Sequence, residues 1–269
     1  MKLLQGSELA GFIKERQARQ VRSLRQTAHV VPRLAIVLTV DNPVINRYIA
    51  LKQVHGTEIG IEVDVHQVTQ SEAPQKIATL NDDPTVHGII VQLPLANPDE
   101  TETVVNSVTP AKDVDGLGRQ TQFDTATALA IVWLLAGYNV ELRGKRIVII
   151  GKGRLVGAPL YKLLKNSNYQ VEATDIATKN LPKVLRKADI VITATGSPAL
   201  ITSDMLRLDA VVVDAGVATD AGKLVGDVAP EVYDRPDITI TPKIGGVGPL
   251  TVTALFDNVI RAATDATSA

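Results

Sequence analysis

Five continuous apolar runs separated by helix-spaced segments constrain the fold of this chain more than any other feature. RLAIVLTV (33–40), GIIVQLPL (88–95), KRIVIIG (145–151), ADIVITATG (188–196) and DAVVVDAG (209–216) suit strands buried on both faces. IEVDVHQV (61–68) alternates with period two and reads as a strand nearer an edge, while QVEATD (170–175) and DITITP (237–242) are shorter strands. Helix punctuation lies between them. Ser7 caps a helix running to about Arg25, a helix after Pro43 ends near Gly60, and NPDETETVVNSV (97–108) opens with Asn, Pro and acids. Further helices are expected over about 72–82, 124–138, 155–166 and 250–264, with a short one after Asp175. Strands alternating with helices give an α/β fold of parallel sheets covered on both faces. The polar stretch GRQTQFD (118–124) marks a boundary between two domains.

Composition narrows the function. With 45% hydrophobic and 21% charged residues over 269 positions, the chain is globular rather than disordered. Its net charge is −1, its basic residues are scattered and its aromatic content is 3%, so nucleic acid is not an expected partner. The absence of cysteine excludes disulfides, thiolate metal sites and Cys nucleophiles. The four histidines show no metal-ligand spacing, and His55 and His66 are expected on exposed faces, so no metal is expected. The N-terminus lacks a signal-peptide h-region and no stretch reaches membrane-span length, which reads as a soluble, cytoplasmic protein with no membrane partner.

Gly151, Gly153 and Gly157 spell G-x-G-x-x-x-G directly between an apolar strand and a helix. Glycines there let the backbone approach a pyrophosphate, and the helix N-terminus offers free N–H groups. The spacing is one residue longer than the usual dinucleotide fingerprint, and an ordinary strand-to-helix turn is the alternative reading. Asp175, at the end of the next strand, is placed to accept from ribose hydroxyls and to repel a 2′-phosphate, favouring NAD; Lys152 in the loop pulls towards NADP. In the first half, Tyr48 and Lys52 share a helix face, Gln92 sits in an apolar strand, and Asp113 and Asp115 lie in the loop KDVDG. A Lys beside an apolar wall can move protons near neutrality. Spacing alone fits a surface Tyr–Lys pair, a capped strand end and a turn equally well.

Taken in order, Tyr48-x-x-x-Lys52, VQLPL (91–95), PAKDVDG (110–116), GKGRLVGAPL (151–160), ADIVITATGSP (188–198), VGDV (225–228) and TPKIGGVGPLT (241–251) resemble the bifunctional methylenetetrahydrofolate dehydrogenase/cyclohydrolase family over nearly the whole chain. The resemblance implies two domains around a cleft. Residues 1–120 plus 250–269 would form a folate-binding catalytic domain, and 121–249 a Rossmann-type dinucleotide-binding domain. It also implies a homodimer, a tetrahydrofolate derivative as substrate and NADP or NAD as cofactor. By position, Lys52 would assist proton transfer in the cyclohydrolase step, with Tyr48, Gln92 and Asp115 as the other catalytic residues. Gln92 would hold Lys52 in place, Tyr48 would pack on the folate and Asp115 would bind the pterin edge. Leu93, Pro94, Gly245, Gly246 and Pro249 would complete the substrate contacts; Gly151, Lys152, Gly153, Asp175, Ile176 and Val217 would bind the dinucleotide.

The sequence departs from the family pattern at several places. Ile45 replaces a Ser three residues before the Tyr, and Gly151-Lys152-Gly153 replaces a Gly-Arg-Ser loop, removing the Arg fork and hydroxyl that grip a 2′-phosphate. Asp175 and Ile176 stand near a missing Ser, Thr125-Ala126-Thr127-Ala128 replaces Pro-Cys-Thr-Pro, and Lys243 and Ile244 replace a Val-Pro pair. These changes favour NAD over NADP. They also leave room for a relative with one activity only, or for a catalytically silent dinucleotide- or folate-binding module.

Overall fold

The computed structural model describes residues 1–220 and 223–268. In chain order the elements are β1 (Lys2–Leu3), α1 (Gly6–Ser23), β2 (Arg33–Leu38), α2 (Pro43–Ile59), β3 (Glu62–Gln67), α3 (Ala73–Asp82), β4 (Gly88–Gln92) and α4 (Thr101–Val105). There follow α5 (Ala126–Gly137), β5 (Ile147–Ile150), α6 (Gly157–Asn166), β6 (Val171–Thr174), α7 (Leu181–Leu185), β7 (Ile190–Thr193) and β8 (Val211–Asp214). The chain closes with β9 (Ala218–Asp220), β10 (Lys223–Val225), β11 (Thr239–Ile240) and α8 (Val247–Ser268). Every apolar run forms its strand, shorter than the run because the flanking residues turn out of the ladder. The last helix is longer than its apolar stripe. β1 and the antiparallel β9–β10 ladder carry too few residues to show a period in sequence.

Two compact units divide the chain: residues 1–10 with 127–251, and residues 11–126 with 252–269. By their contacts, the first ten residues group with residues 127–251. The cause is strand pairing, since β1 runs parallel to β11 with Lys2 opposite Thr239 and Leu3 opposite Ile240.

In the unit holding residues 11–126, a parallel sheet runs in the order β3-β2-β4. Ala35, Val37, Ile77, Leu80, Ile89 and Val91 pack in its core, and Leu34, Ile36 and Leu38 are buried on the opposite face. β3 lies at the edge, as its alternation requires. Between β3 and β4 the chain crosses from one side of β2 to the other, which makes the C-terminal ends of β2 and β4 a topological switch point, where open α/β sheets bind ligands.

The other unit holds a six-stranded sheet, β1-β11-β8-β7-β5-β6, whose pairs are all parallel. Its switch point falls between β5 and β7. Val148, Ile150, Val191, Val212 and Ile240 form its core with Leu181 and Leu185 of α7. No helix among the described residues is long and apolar enough to cross a membrane.

Candidate active site

Helix α2 starts where Asn42 Oδ1 accepts from the Ile45 amide at 2.9 Å with Pro43 in the first turn, and it ends at Gly60 with φ +86°. Its buried stripe is Ile45, Ile49, Gly56 and Ile59. At Gly56 a Cβ would lie 2.5 Å from Val63 Cγ2, so glycine lets α2 approach β3 closely. Ile45, in place of the family's Ser, is a core anchor rather than a site group.

Lys52 occupies the same stripe as those apolar residues, one position where helical spacing reserves a place for the core. Its ammonium donates to Gln92 Oε1 at 2.7 Å, and Gln92 Nε2 donates to the Leu93 carbonyl at 2.9 Å. Gln92 ends β4 opposite Leu38 of β2, so the switch point itself carries the Lys–Gln contact. Leu93 is half-buried and joins Pro94 through a cis peptide bond, with Pro94 exposed. Thr39, next after Leu38, keeps a buried hydroxyl with no partner. A lone polar residue at the end of an apolar strand is its only signal in sequence.

Asp115 reaches this cluster on a loop pinned at both ends. The Ile89 amide donates to the Lys112 carbonyl at 2.7 Å, and the two amide hydrogens of Asn258, on α8, bridge the carbonyls of Val114 (2.8 Å) and Asp124 (3.1 Å). The Lys112 ammonium donates to the carbonyls of Leu80, Asn81 and Asp83 at 2.7–3.0 Å, closing the end of α3. Asp113 turns inward to accept from the Leu117 and Gly118 amides, a structural role, whereas Asp115 accepts from no described residue. Burial pushes the Asp115 carboxyl up to about 6, an effect that Lys52 opposes and Asp113 reinforces. Burial also lowers the Lys52 pKa, against the pull of Asp115. The two shifts run in opposite senses and bring the proton affinities of Lys52 and Asp115 closer together than those of the free side chains. Tyr48 stands one turn before Lys52 and is 40% exposed.

His55 is not on an exposed face. Its ring stacks on Phe256 at 4.9 Å, its Nε2 meets Gln17 Oε1 at 3.1 Å, and burial depresses its pKa to about 4. His66 is half-buried as well. His55 lies where α2 meets α1 and α8, and His66 lies on β3, contexts their spacing does not reveal.

In the other unit, Gly151 ends β5 with φ +103°, and a Cβ there would sit 2.5 Å from the Ala194 carbonyl oxygen just beyond β7. A Cβ at Gly157 would strike the Gly151 carbonyl at 1.8 Å, so helix α6 starts directly against the turn. Around Gly153 there is open space. No side chain caps α6; the Ala158 amide donates to the Gly153 carbonyl at 3.1 Å and Pro159 carries no N–H, so among the described residues Gly157 holds the one first-turn amide left to a ligand or solvent. Backbone cradle, helix start and switch point coincide, and these residues fit a dinucleotide pyrophosphate. Lys152 and Asp175 pair at 3.0 Å, and the Ala177 amide and Thr178 hydroxyl also donate to Asp175, holding its carboxyl below the usual range. Ile176 and Val217 are 62% and 58% exposed. Gly245, at φ +83°, accepts from the Ser7 amide at 2.9 Å, and Gly6 has no room for a Cβ under the Gly246 carbonyl. Gly245, Gly246 and Pro249 thus belong to the unit of the six-stranded sheet, while Lys52, Gln92 and Asp115 belong to the other.

Known proteins share this arrangement. Residues 4–115 match the family described as tetrahydrofolate dehydrogenase/cyclohydrolase, catalytic domain, and residues 125–267 match its NAD(P)-binding domain. The bifunctional protein FolD of Nitratiruptor is 36% identical across 98% of both chains. The crystal structure of the bifunctional methylenetetrahydrofolate dehydrogenase/cyclohydrolase of Campylobacter jejuni superposes with a TM-score of 0.92 at 36% identity, covering 98% of this chain and 99% of that one. The Trypanosoma brucei enzyme, solved with NADP cofactor and inhibitor, gives 0.92 at 29% identity over 99% and 98% of the chains. Both halves match, in order and over essentially full length, and the chain belongs to the tetrahydrofolate dehydrogenase/cyclohydrolase family.

Proposed function

We propose that the chain oxidises 5,10-methylenetetrahydrofolate to 5,10-methenyltetrahydrofolate and hydrolyses that product to 10-formyltetrahydrofolate, with Lys52 as the proton-transfer group of the second step. The observation that carries the reading is the 2.7 Å contact from Lys52 to Gln92 at the end of a buried strand, which aims an amine of lowered pKa at a switch point. In the first step NAD(P) accepts the hydride from the methylene carbon. In the second, water adds to the bridging carbon and the ring opens, leaving the formyl group on N10. Lys52 as the free amine takes the proton of the attacking water and returns it to the opening ring. Gln92 fixes the Nζ position, Asp115 accepts from the amino group and ring nitrogen of the pterin, and Tyr48 packs on the folate with Leu93 and Pro94 beside it. Gly151, Lys152 and Gly153 hold the pyrophosphate side of the dinucleotide, Asp175 and Ile176 its adenosine, and Val217 the carboxamide. Gly245, Gly246 and Pro249 bring backbone against substrate and nicotinamide.

NAD is the preferred cofactor in this reading. An ionised Asp175 accepts from ribose hydroxyls and repels a 2′-phosphate, and the Lys152 ammonium that would attract that phosphate is engaged by Asp175. Assembly as a homodimer and residence in the cytoplasm complete the proposal on family likeness, and sedimentation tests the first. The test of function is methenyl formation followed by absorbance with NAD and NADP supplied separately. Turnover with NAD exceeding NADP supports the reading, and Asp175→Ser shifts the ratio towards NADP by about tenfold or less, as expected for an exposed charge. Lys52→Met removes the hydrolase step. Persistent hydrolysis in that variant refutes the role given to Lys52.

A further inference from the structure

Two carboxylates in the six-stranded unit, Asp227 buried and Asp214 half-buried, lie outside the set of groups assigned to either reaction. Asp227 has no exposed surface, yet four donors converge on it. The Thr193 hydroxyl (2.6 Å), the Thr195 amide (2.7 Å) and the Thr195 hydroxyl (2.9 Å) donate to Oδ2, and the Ser197 amide (2.8 Å) donates to Oδ1. Asp214, at the end of β8, accepts from the amides of Gly216, Asp227 and Val228 at 3.0–3.2 Å.

The two are interlocked through glycine. A Cβ on Gly216 would lie 2.1–2.4 Å from the Asp227 carboxyl atoms, and one on Gly226 would lie 2.0 Å from Asp214 Oδ2. Each carboxylate fills the space over the glycine beside the other, so D-x-G at 214–216 and G-D at 226–227 form one reciprocal clasp. It binds together three loops at the C-terminal edge of the sheet: 193–197 after β7, 214–217 after β8, and 225–228.

Those loops are the wall of the switch point. The Ala194 carbonyl is what the bare backbone of Gly151 approaches, and Gly196, at φ +66°, would bring a Cβ 3.4 Å from the carbonyl of Val217. Gly151 and Val217, at the pyrophosphate and the carboxamide of the dinucleotide in the reading above, therefore touch a segment whose shape is set from beneath by Asp227.

We propose that Asp227 is a positioning residue for the dinucleotide: its carboxylate, seated over Gly216, fixes loops 193–197 and 214–217 in the form that receives the cofactor. The inference rests on the dinucleotide occupying the β5/β7 switch point. It also fixes which substitutions matter. Asparagine is not conservative here, because an NH2 replacing either oxygen would face an amide N–H that cannot turn away. Thr195→Val removes one donor of the four without adding bulk, whereas Thr195→Ser keeps it.

Calorimetric titration of NAD and NADP, run separately on the full chain, provides the test. Melting by circular dichroism and hydrolysis of methenyltetrahydrofolate, which needs no dinucleotide, are followed on the same samples. Asp227→Asn and Gly216→Ala should each weaken dinucleotide binding by about tenfold or more, and Thr195→Val by about threefold to tenfold, with Thr195→Ser restoring the parent value. Hydrolysis should change less than about twofold in all of them. Unaltered dinucleotide affinity in Thr195→Val and Gly216→Ala overturns the inference. So does parallel loss of affinity and hydrolysis, which would mark Asp227 as a support of the whole fold. Failure of the unsubstituted chain to bind either dinucleotide would refute the cofactor reading itself, and this inference with it.

Discussion

Replacing Gln92 with leucine isolates the contact on which the proposed hydrolase mechanism depends. The substitution shortens the side chain by one heavy atom and leaves the pairing of β4 with β2 in place, but removes the acceptor 2.7 Å from Lys52 Nζ. A hydrogen bond to a charged group is worth about 1.5–3 kcal/mol, and about 1.4 kcal/mol corresponds to one unit of pKa. Gln92 Oε1 favours the ammonium over the amine, so its loss moves Lys52 in the direction that burial already drives it. Lys52 accepts a proton only as the amine. The acid limb of the hydrolase pH profile should therefore move to lower pH by roughly one unit or more, while the plateau falls about tenfold because Nζ is no longer aimed. Decay of methenyl absorbance between about pH 6 and 9 reads both effects. Asp115→Asn should move the limb the same way, since the carboxylate also supports the ammonium. A limb that stays in place in Gln92→Leu, or moves to higher pH, refutes proton transfer by a Gln92-held amine.

Other outcomes follow from particular contacts. His55 is held near pKa 4 in the fold against about 6.5 when unfolded, so between those values only the unfolded chain takes the proton and stability falls as pH falls. The stability advantage of the parent over His55→Gln should shrink by on the order of 3 kcal/mol from pH 6.5 to 4 in urea titrations, and a constant difference would show that His55 is not buried neutral. Lys112→Met leaves three carbonyls at the end of α3 without their cation and should cost about 2 kcal/mol, lowering the melting temperature by roughly 5–10 °C; an unchanged melt contradicts the cap. Gly151→Ala forces a Cβ to within 2.5 Å of the Ala194 carbonyl at a backbone angle that L-residues avoid, and should abolish calorimetric NAD(P) binding. Gly153→Ala meets no protein atom, so any loss of affinity there reports the ligand's own approach.

Much of the architecture was legible because it is written in periodicity. Ile147–Ile150, Ile190–Thr193 and Val211–Asp214 are apolar on both faces, and only a strand inside a covered parallel sheet buries both. Lys52 was legible in part, since a charged residue in the stripe of Ile45, Ile49 and Gly56 must find a polar partner inside. Its partner was legible only through the family resemblance, because Gln92 is 40 residues away and no local spacing links the two. The pairing of β1 with β11 joins residues at opposite ends of the chain, which no local pattern encodes.

The sequence by itself determined the order of strands and helices, the glycine-rich turn and the identity of the polar residues, since these depend on neighbours within a few positions. Tertiary structure decided what each polar residue became: Asp113 a loop brace, Asp115 a site carboxylate, and Asp227 the base of a clasp. Charge state and hydrogen bonding are set by burial and by groups brought from distant segments, and that information exists only once the chain has folded.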